Sequence, residues 1–505
     1  MTALLNKLAF HCTPRFLIRG ALVLLFLAGL GIRLYDLTDP PLDFHPARQL
    51  RSAIMARGIY YQGQPVSDQR DAALKTMGAL ETYEPPILEI LIAGTYRLTG
   101  GEKLWLARAF SSLFWLIAAA AMVKLLRRWS FNAGIIISAG FFLLLTFAVQ
   151  ASRSFQPDPF MVMWISLFTL SVDIWMEKRS WKWAILAGLL GGIAVLVKVV
   201  AGFFVGGVLL IAVLLSGSLG RILRSRQTWI ILLLSVLPAF AYYLLAIGGR
   251  SAGFFTSWTL GFIQLLADHE FYSDWLHMID SLVSLPMFFT ALVGTFLLQP
   301  PARRLVLGLW LGYVLYGLSS PYQFITHSYY HLPLVLVTAM GLAPVADLAL
   351  EKLTTSSWLW RTATALVLIF AAGYTIWVGR SILFVEDFRS EARVWADIGK
   401  AVPVDGLVIA LTQDYGTRLM YYGWTKVSSY WPATSNFSRG QAAGKDKRDL
   451  KALFEKMVEG KRYFLVTAFG QLEAQPELKR LLQDYLVTAS GDGYILYDLA
   501  QSSTP

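Results

Sequence analysis

The sequence predicts an α-helical membrane protein that crosses the bilayer many times and ends in a small soluble α/β domain. Of its 505 residues, 56% are hydrophobic and 15% are charged, with a mean hydropathy of +0.52. This composition is too apolar for a soluble globular protein. Apolar runs of membrane-spanning length recur along residues 1–380. Beyond them the composition becomes polar, and short strand and helix patterns follow.

The apolar runs predict about eleven transmembrane helices, because each run is close to the roughly 20 residues that cross a bilayer. They cover residues 16–35, 104–123, 131–149, 159–176, 183–197, 200–216, 228–247, 281–299, 305–319, 331–349 and 358–378. The first run has no small-residue cleavage site before Arg33, so we expect a retained helix rather than a signal peptide. Residues 86–99 are apolar but short, and they contain Glu89 and Arg97, which favours a helix in the membrane interface.

The distribution of basic residues predicts the orientation of these helices. With residues 86–99 outside the bilayer, sixteen Lys and Arg residues lie on the side of the N-terminus, and three lie in short connections on the opposite side. The positive-inside rule then places the N-terminus in the cytosol and the C-terminus outside it. The net charge of +11 comes from these clusters, so we expect contacts with anionic lipids and no nucleic acid partner. Cys12 is the single cysteine, which precludes an intramolecular disulfide.

We predict two domains: a transmembrane domain at residues 1–380, with interfacial helices in its outer loop at 36–103, and a soluble extracytosolic α/β domain at 381–505. In the second domain, strand patterns occur at 404–412, 462–467 and 494–498, and helical patterns at 450–459 and 475–485. Gly491-Asp492-Gly493 predicts a hairpin turn, and residues 434–449 predict a polar loop. This part of the sequence has no glycine-rich phosphate loop, so we expect it to recognise an acceptor or support the membrane site.

The outer segments carry the charged side chains that could perform chemistry, because charges at membrane depth need protein or water around them. Asp43 opens the stretch Asp-Phe-His-Pro-Ala-Arg, and residues 47–61 have the pattern of an amphipathic helix lying on a membrane surface. Glu84 directly precedes two prolines. Further polar residues on this face are Arg153, Asp158, Lys198, Asp268, His269, His327, Tyr330 and His331.

These motifs together resemble the polyprenyl-phosphate-dependent glycosyltransferases of the GT-C superfamily, in the branch of protein O-mannosyltransferases and aminoarabinose transferases. The resemblance covers roughly the first 350 residues, and each motif alone is only moderately specific. The motifs are Asp43-Phe-His-Pro-Ala-Arg48, Glu84-Pro-Pro-Ile87, Ser154-Phe-Gln-Pro-Asp158-Pro159, Gly191-Gly-Ile-Ala-Val-Leu-Val-Lys198 and Tyr330-His-Leu-Pro333. The resemblance implies a GT-C fold and transfer of a sugar from a lipid phosphate.

The resemblance also implies roles for single residues. Asp43 is expected to act at the acceptor, where a carboxylate takes the proton of the attacking hydroxyl, and Glu84 and Asp158 are further catalytic candidates. The departing lipid phosphate needs positive charge or hydrogen-bond donors. The candidates for binding it are Arg48, Arg51, Arg153, Lys198, Tyr330 and His331, and His45, His327, Asp268 and His269 are candidates for substrate binding. The family often has a lysine after the glutamate, where this chain has Pro85, so the cation that meets the phosphate stays open.

Each of these residues also has a structural interpretation. Asp43 could cap the following helix, Glu84 could be a solvated turn residue, and Asp158 could complement the dipole of the fourth span. Lys198 ends an apolar run, where an unpaired ammonium is costly. It therefore either has a functional role or extends to the outer headgroups.

Two classes of function remain open from the sequence. The preferred one is an inverting glycosyltransferase that moves a sugar from a polyprenyl-phosphate donor to a lipid, glycan or protein acceptor, on the outer face of a bacterial inner membrane. The alternative is a lipid-linked sugar transporter or flippase, which typically has internal repeats and charges near the bilayer midplane. We find no such repeat in the sequence, and the charges cluster at one face, which favours the enzyme.

No cofactor is expected. His327 and His331 fit an aromatic belt at the membrane interface as well as they fit a ligand role. The chain has no HxxH or HExxH motif, so a divalent metal is not favoured.

Overall fold

The computed structural model of the chain describes residues 14–81, 84–214, 224–246, 260–354, 356–403, 407–444 and 449–502. It confirms the predicted class, because helices dominate these residues and a small sheet lies near the C-terminus. In chain order, the helices are α1 (Pro14–Leu34), α2 (Pro46–Gln62), α3 (Asp68–Met77), α4 (Ile87–Leu98), α5 (Leu104–Arg128), α6 (Gly134–Leu144), α7 (Thr146–Ser152), α8 (Pro157–Lys178), α9 (Trp181–Val197), α10 (Ala201–Leu214), α11 (Arg226–Ala241), α12 (His269–Val283), α13 (Leu285–Leu297), α14 (Pro300–Ser319), α15 (Pro321–Thr326), α16 (Leu332–Thr354), α17 (Trp358–Ile382), α18 (Glu391–Ala401), α19 (Thr417–Tyr422), α20 (Thr434–Ala442), α21 (Leu450–Val458), α22 (Phe469–Glu473) and α23 (Pro476–Gln483). The strands are β1 (Val408–Leu411), β2 (Ser429–Tyr430), β3 (Tyr463–Val466), β4 (Tyr485–Gly491) and β5 (Tyr494–Ser502).

Within the described residues, each of the eleven predicted apolar runs lies on one or more of these helices. Six helical segments are long and apolar enough to cross a bilayer: Phe16–Leu34, Leu104–Arg128, Pro157–Lys178, Arg226–Leu245, Ser328–Leu353 and Trp358–Ile382. The count rises to as many as eight if each of two bent helix pairs is one span, α6 with α7 (55°) and α12 with α13 (92°). Helix α4 is not among these candidates, which agrees with our interpretation of residues 86–99 as a helix that does not span the membrane.

The chain divides into two compact units. The first contains Met1–Leu37, Tyr83–Pro85 and Arg108–Val385, and the second contains Thr38–Thr82, Pro86–Ala107 and Glu386–Pro505. Most of the first outer segment therefore belongs to the same unit as the C-terminal residues, whereas the sequence analysis assigned residues 36–103 to the transmembrane domain.

Glycines bring helices α10 and α14 of the first unit into close contact. A Cβ atom at Gly207 would lie 2.3 Å from the carbonyl oxygen of Gly308, and one at Gly312 would lie 2.6 Å from the Cα atom of Phe204. Small residues permit this approach of two backbones inside a membrane, where dispersion contacts replace the hydrophobic effect. The contact also orders the end of α14, because the ring of Phe204 packs edge-on against Tyr316.

Arg57 on α2 holds the second unit together. Its guanidinium forms an ion pair of 3.0 Å with Glu102 and donates to the carbonyl oxygen of Tyr421. It also lies 3.7 Å and 3.9 Å from the ring centroids of Tyr421 and Trp424, while the Tyr421 hydroxyl donates to Glu102. A buried guanidinium is tolerated when carboxylate, carbonyl and aromatic partners replace water. These contacts fix α2 against the end of α19 and against Trp424, which follows it.

The C-terminal residues form a five-stranded sheet in the order β2-β1-β3-β5-β4. The first three strands are parallel, and β5 pairs antiparallel with both β3 and β4. Alternate residues of β1 point to opposite faces, so Ile409 and Leu411 join one buried cluster and Val408 and Ala410 join another. Helices cover both faces, with Phe454 of α21 in one cluster and Trp395 of α18 in the other.

The predictions for this domain have mixed outcomes. The structure confirms strands β1, β3 and β5, helices α21 and α23, and the hairpin turn, where Gly493 has a φ of 80°. The prediction of a loop at residues 434–449 is wrong for 434–442, which form α20, and residues 445–448 lie outside the described residues. Strand β4 was not predicted, because its residues are mostly exposed and lack a buried alternation.

Candidate active site

A buried ion pair joins the start of α8 to the end of α9 in the first unit. Asp158 lies in the first turn of α8, directly after Pro157, and Lys198 is the residue that ends α9. Lys198 Nζ lies 2.7 Å from Asp158 Oδ1, and the two side chains are 4% and 1% exposed. Because each buried charge would be costly alone, each of the two side chains compensates the charge of the other. Lys198 is therefore buried in an ion pair and does not extend to the outer headgroups, and its functional role stays a prediction.

Tyrosine rings surround the Lys198 ammonium. Its Nζ lies 4.8 Å from the ring centroid of Tyr330 and 5.1 Å from that of Tyr329, and Tyr316 packs against Tyr330 at 5.4 Å between ring centroids. An ammonium has three N–H donors, and Asp158 takes one of them. The ring faces attract the remaining positive charge without accepting conventional hydrogen bonds. The ammonium thus keeps donor capacity for an anionic ligand.

Several polar atoms of this region are buried and have no hydrogen-bond partner among the residues that the structure describes. They are Oδ2 of Asp158, both amide atoms of Gln156 and the hydroxyl of Tyr316. Tyr316 is close enough to Asp158 and Glu84 for electrostatic interaction. An unpaired buried polar group costs about 1–3 kcal/mol, and native proteins keep few of them. These atoms could therefore form hydrogen bonds with a polar ligand.

Gln156 and Tyr316 are candidate site residues that were not predicted from the sequence. Gln156 stands two positions before Asp158 inside a motif that was already recognised, so its position was the available signal. Tyr316 lies within an apolar span and carries no local pattern that separates it from the interfacial aromatic residues.

His331 is placed as a structural residue rather than a phosphate ligand. It is fully buried, with Nε2 2.8 Å from the carbonyl oxygen of Phe324 and Nδ1 2.7 Å from the hydroxyl of Tyr313. Because a carbonyl can only accept, Nε2 carries the proton and Nδ1 accepts from Tyr313, which in turn accepts from the indole N–H of Trp275 at 3.0 Å. Both ring nitrogens are used inside the protein. We therefore remove His331 from the candidate phosphate ligands.

The guanidinium of Arg153 forms hydrogen bonds with backbone carbonyl groups. Its two terminal nitrogens donate to the carbonyl oxygens of Tyr35 and Asp36 at 2.8 Å and 2.9 Å, and the side chain is buried. These carbonyls follow the last turn of α1, where helix geometry leaves acceptors without intrahelical partners. Arg153 therefore anchors the end of α1, and its binding of the phosphate stays a prediction.

The remaining candidates of the first unit lie at its surface. The Asp268 side chain accepts from the backbone N–H of Glu270 at 3.0 Å and so caps α12, and the neighbouring His269 side chain is 95% exposed. His327 is half-buried, with Nδ1 2.7 Å from the hydroxyl of Thr326. Across the described ranges, no three His, Cys, Asp or Glu side chains come together in a way that could hold a metal ion.

Asp43, His45, Arg48 and Arg51 belong to the second unit. His45 is the N-cap residue of α2, with φ 45° and ψ 65°, and its side chain makes no capping hydrogen bond. Asp43 precedes that position by two residues and lies 3.4 Å from Nε2 of Gln49, so Asp43 is not the N-cap residue of this helix. Arg48 and Arg51 are one helical turn apart, which puts them on one side of α2.

Burial lowers the pKa of His45 to about 4. The imidazole is consequently neutral at physiological pH, because its pKa lies well below that range. A neutral imidazole can donate or accept a hydrogen bond to a sugar hydroxyl, but it supplies no positive charge.

Comparisons with known proteins agree with this fold. Residues 83–245 match the family of dolichyl-phosphate-mannose-protein mannosyltransferases. No curated protein matches the chain. The structure of ArnT from Cupriavidus metallidurans bound to undecaprenyl phosphate superposes with a TM-score of 0.57 at 15% identity, covering 94% of this chain and 97% of ArnT. The apo form of that protein gives the same TM-score at 16% identity and the same coverage.

The Archaeoglobus fulgidus oligosaccharyltransferase, in complex with Zn and sulfate, superposes with a TM-score of 0.52 at 13% identity, covering 95% of this chain and 73% of that protein. At such identities the superpositions show the fold, which is that of a polytopic membrane protein. The family match and the shared fold confirm the predicted resemblance to GT-C glycosyltransferases, and with it the prediction that the chain is a glycosyltransferase.

Proposed function

We propose that this chain is an inverting glycosyltransferase that takes its sugar from a polyprenyl-phosphate donor and acts on the outer face of a bacterial inner membrane. The observation that carries the proposal is the buried Asp158–Lys198 pair, with tyrosine rings around the ammonium and unpaired polar atoms close by. A buried cation with spare donors suits a phosphate, and unpaired amide and hydroxyl groups suit a sugar. The ArnT structure with undecaprenyl phosphate supports the choice of donor, since ArnT shares the fold.

The proposed reaction breaks one bond and forms one. The acceptor hydroxyl oxygen attacks the anomeric carbon from the side opposite the phosphate, the bond from that carbon to the phosphate oxygen breaks, and its electron pair leaves with the polyprenyl phosphate. We assign removal of the hydroxyl proton to the carboxylate of Asp43, following the family resemblance. The ammonium of Lys198 stabilises the departing phosphate. Because lysine supplies this charge, the proposal needs no cofactor.

The acceptor is proposed to be a lipid, a glycan or a protein segment outside the cytosol. Arg48 and Arg51 stay candidates for contacts with anionic groups, since guanidinium groups bind phosphates and carboxylates in pairs of hydrogen bonds. Tyr330 stays a candidate donor-site residue because its ring lies 4.8 Å from the Lys198 ammonium.

The donor class can be tested with purified protein in lipid nanodiscs. We expect turnover of an undecaprenyl-phosphate sugar and no turnover of the matching nucleotide sugar. In the described part of the chain, the candidate site has the buried Asp158–Lys198 ion pair and no glycine-rich phosphate loop. Release of undecaprenyl phosphate and incorporation of labelled sugar are measured together. Efficient transfer from the nucleotide sugar would contradict the proposed donor.

Action on the outer face requires the predicted orientation. A periplasmic reporter such as alkaline phosphatase fused after Pro505 should be active, and a cytosolic reporter at the same position should be silent, because of the sixteen-to-three bias of basic residues. A second fusion in the connection after Arg128 serves as the control and should show the opposite pattern. Cytosolic activity at Pro505 would overturn the orientation.

A further inference from the structure

The parallel strands β1 and β3 of the C-terminal sheet end side by side, in a part of the chain to which we assign no step of the sugar transfer. In the sheet order β2-β1-β3, the chain leaves β1 towards β2 on one side, and it leaves β3 towards the antiparallel strands β5 and β4 on the other. Neighbouring strands whose connections diverge leave a crevice outside their carboxyl ends, and open α/β sheets bind ligands there. In this chain the corresponding position is between the ends of β1 and β3.

Neutral polar side chains line this position. Thr467 Oγ1, directly after β3, lies 2.7 Å from Oε1 of Gln413 and 2.9 Å from Oγ1 of Thr412, both directly after β1. The Thr467 hydroxyl is the donor towards both oxygens, and its single proton serves one of them at a time. The Gln413 amide nitrogen donates to the carbonyl oxygen of Thr467 at 3.0 Å. The three side chains form one connected network that spans the two strand ends.

A second amide, that of Gln471, follows four residues after Thr467 on the β3 side. Oε1 of Gln471 accepts from both the backbone N–H and the hydroxyl of Thr434, at 2.9 Å and 3.0 Å. These bonds fix the amide plane of Gln471. Among the described residues its Nε2 makes no side-chain hydrogen bond, so its two N–H groups can donate to a ligand.

Two aromatic side chains stand exposed within three residues of this network. Tyr415 is 59% exposed and Phe469 is 39% exposed. Tyr415 lies in a loop where Asp414, Tyr415 and Gly416 have φ angles of 51°, 55° and 77°. Two successive non-glycine residues in this left-handed region are unfavourable, and such backbone is typical of functional positions. The loop therefore exposes the ring of Tyr415 from a backbone conformation that is unfavourable for a residue other than glycine.

The charges near this loop are already paired, which decides the class of ligand. Arg418 forms ion pairs with Asp414 and with Glu391 at 3.0 Å, so it offers no free cation to a phosphate. Neutral amides and hydroxyls beside exposed rings match a sugar chain instead. The rings stack on the apolar faces of sugar rings, and the amides bond to their hydroxyls.

We propose that the strand-end surface formed by Thr412, Gln413, Tyr415, Thr467, Phe469 and Gln471 binds a neutral oligosaccharide. This surface is a second carbohydrate-binding position, and its residues are separate in the sequence from the Asp158–Lys198 ion pair of the first unit. The binding needs no donor lipid and no bond is made or broken there.

The full-length protein in nanodiscs is applied, without donor, to an array of neutral gluco-, manno-, galacto- and arabino-oligosaccharides together with sialylated and phosphorylated glycans. We expect retention on neutral oligosaccharides, weakened about tenfold by Tyr415→Ala or Phe469→Ala, since a stacking contact is worth on the order of one factor of ten. Tyr415→Phe keeps the ring and should bind like the parent. Leu486→Ala, at an exposed apolar residue of β4 (44% exposed), is the matched control and should also leave binding unchanged.

Absence of binding to any neutral oligosaccharide, binding confined to the charged glycans, or equal binding by both alanine variants would each overturn the proposal. Binding is measured without donor, so it is independent of sugar transfer. A protein that binds oligosaccharides but does not turn over the lipid-phosphate sugar would therefore count against the proposed function alone.

Discussion

Lys198→Met should lower the rate of sugar transfer by about 10²-fold or more and should also lower the stability of the protein. The transfer rate falls because the departing phosphate loses a buried, charged hydrogen-bond donor. Stability falls because the substitution leaves Asp158, 1% exposed, as an unpaired buried carboxylate, and breaking a buried ion pair costs about 3–5 kcal/mol. Transfer from undecaprenyl-phosphate sugar and the thermal unfolding midpoint are measured on the same preparations.

A double variant separates these two effects. Lys198→Met combined with Asp158→Leu removes both charges and leaves no uncompensated carboxylate, so much of the lost stability should return. Transfer should stay low, because the double variant still lacks the cation for the phosphate. If the pair served the fold alone, activity would return together with stability, and that result would remove Lys198 from the donor site.

The ion pair between Arg128 and Asp173 provides a matched control in the same unit. Arg128 Nε lies 2.5 Å from Asp173 Oδ2, and Asp173 also accepts from the indole N–H of Trp129. Arg128→Met should lower the unfolding midpoint, but it should leave the transfer rate per folded molecule near that of the parent protein.

Much of the fold could be predicted because lipid and core contacts impose regular patterns on the sequence. The apolar runs coincide with helices, and the buried strands β1 and β3 have continuous apolar residues. Helix α20 could not be predicted in this way, since none of its residues is buried. Its start is fixed by tertiary hydrogen bonds from Thr434 to Gln471, 37 residues away, which no local pattern reveals.

The candidate site was predictable in its residue types but not in its pairings. Asp158 and Lys198 stood out because charges beside apolar runs are costly, yet their contact across 40 positions is a tertiary fact. His331 was misassigned because the sequence does not show that Tyr313 and Phe324 occupy both ring nitrogens. Gln156 was missed because a buried amide without a partner becomes visible only when its neighbours are placed.

Asp43→Asn should lower the transfer rate by about 10²-fold or more while leaving the unfolding midpoint nearly unchanged. Asparagine has the size of aspartate and can still accept from Nε2 of Gln49, 3.4 Å from Oδ1, so the local structure is retained. An amide oxygen is too weak a base to take the acceptor proton, which is the reason for the loss. The N-cap residue of α2 is His45, so a capping defect does not account for such a loss.

The matched control for Asp43→Asn is Asp71→Asn, in α3 of the same unit. The Asp71 side chain is 68% exposed, so this substitution should have no effect on transfer.

Glu84→Gln should weaken transfer less than Asp43→Asn, if Glu84 positions the sugar instead of accepting the proton. A near-normal rate for Asp43→Asn at matched expression would exclude Asp43 as the base and would leave Glu84 or Asp158 to take the proton.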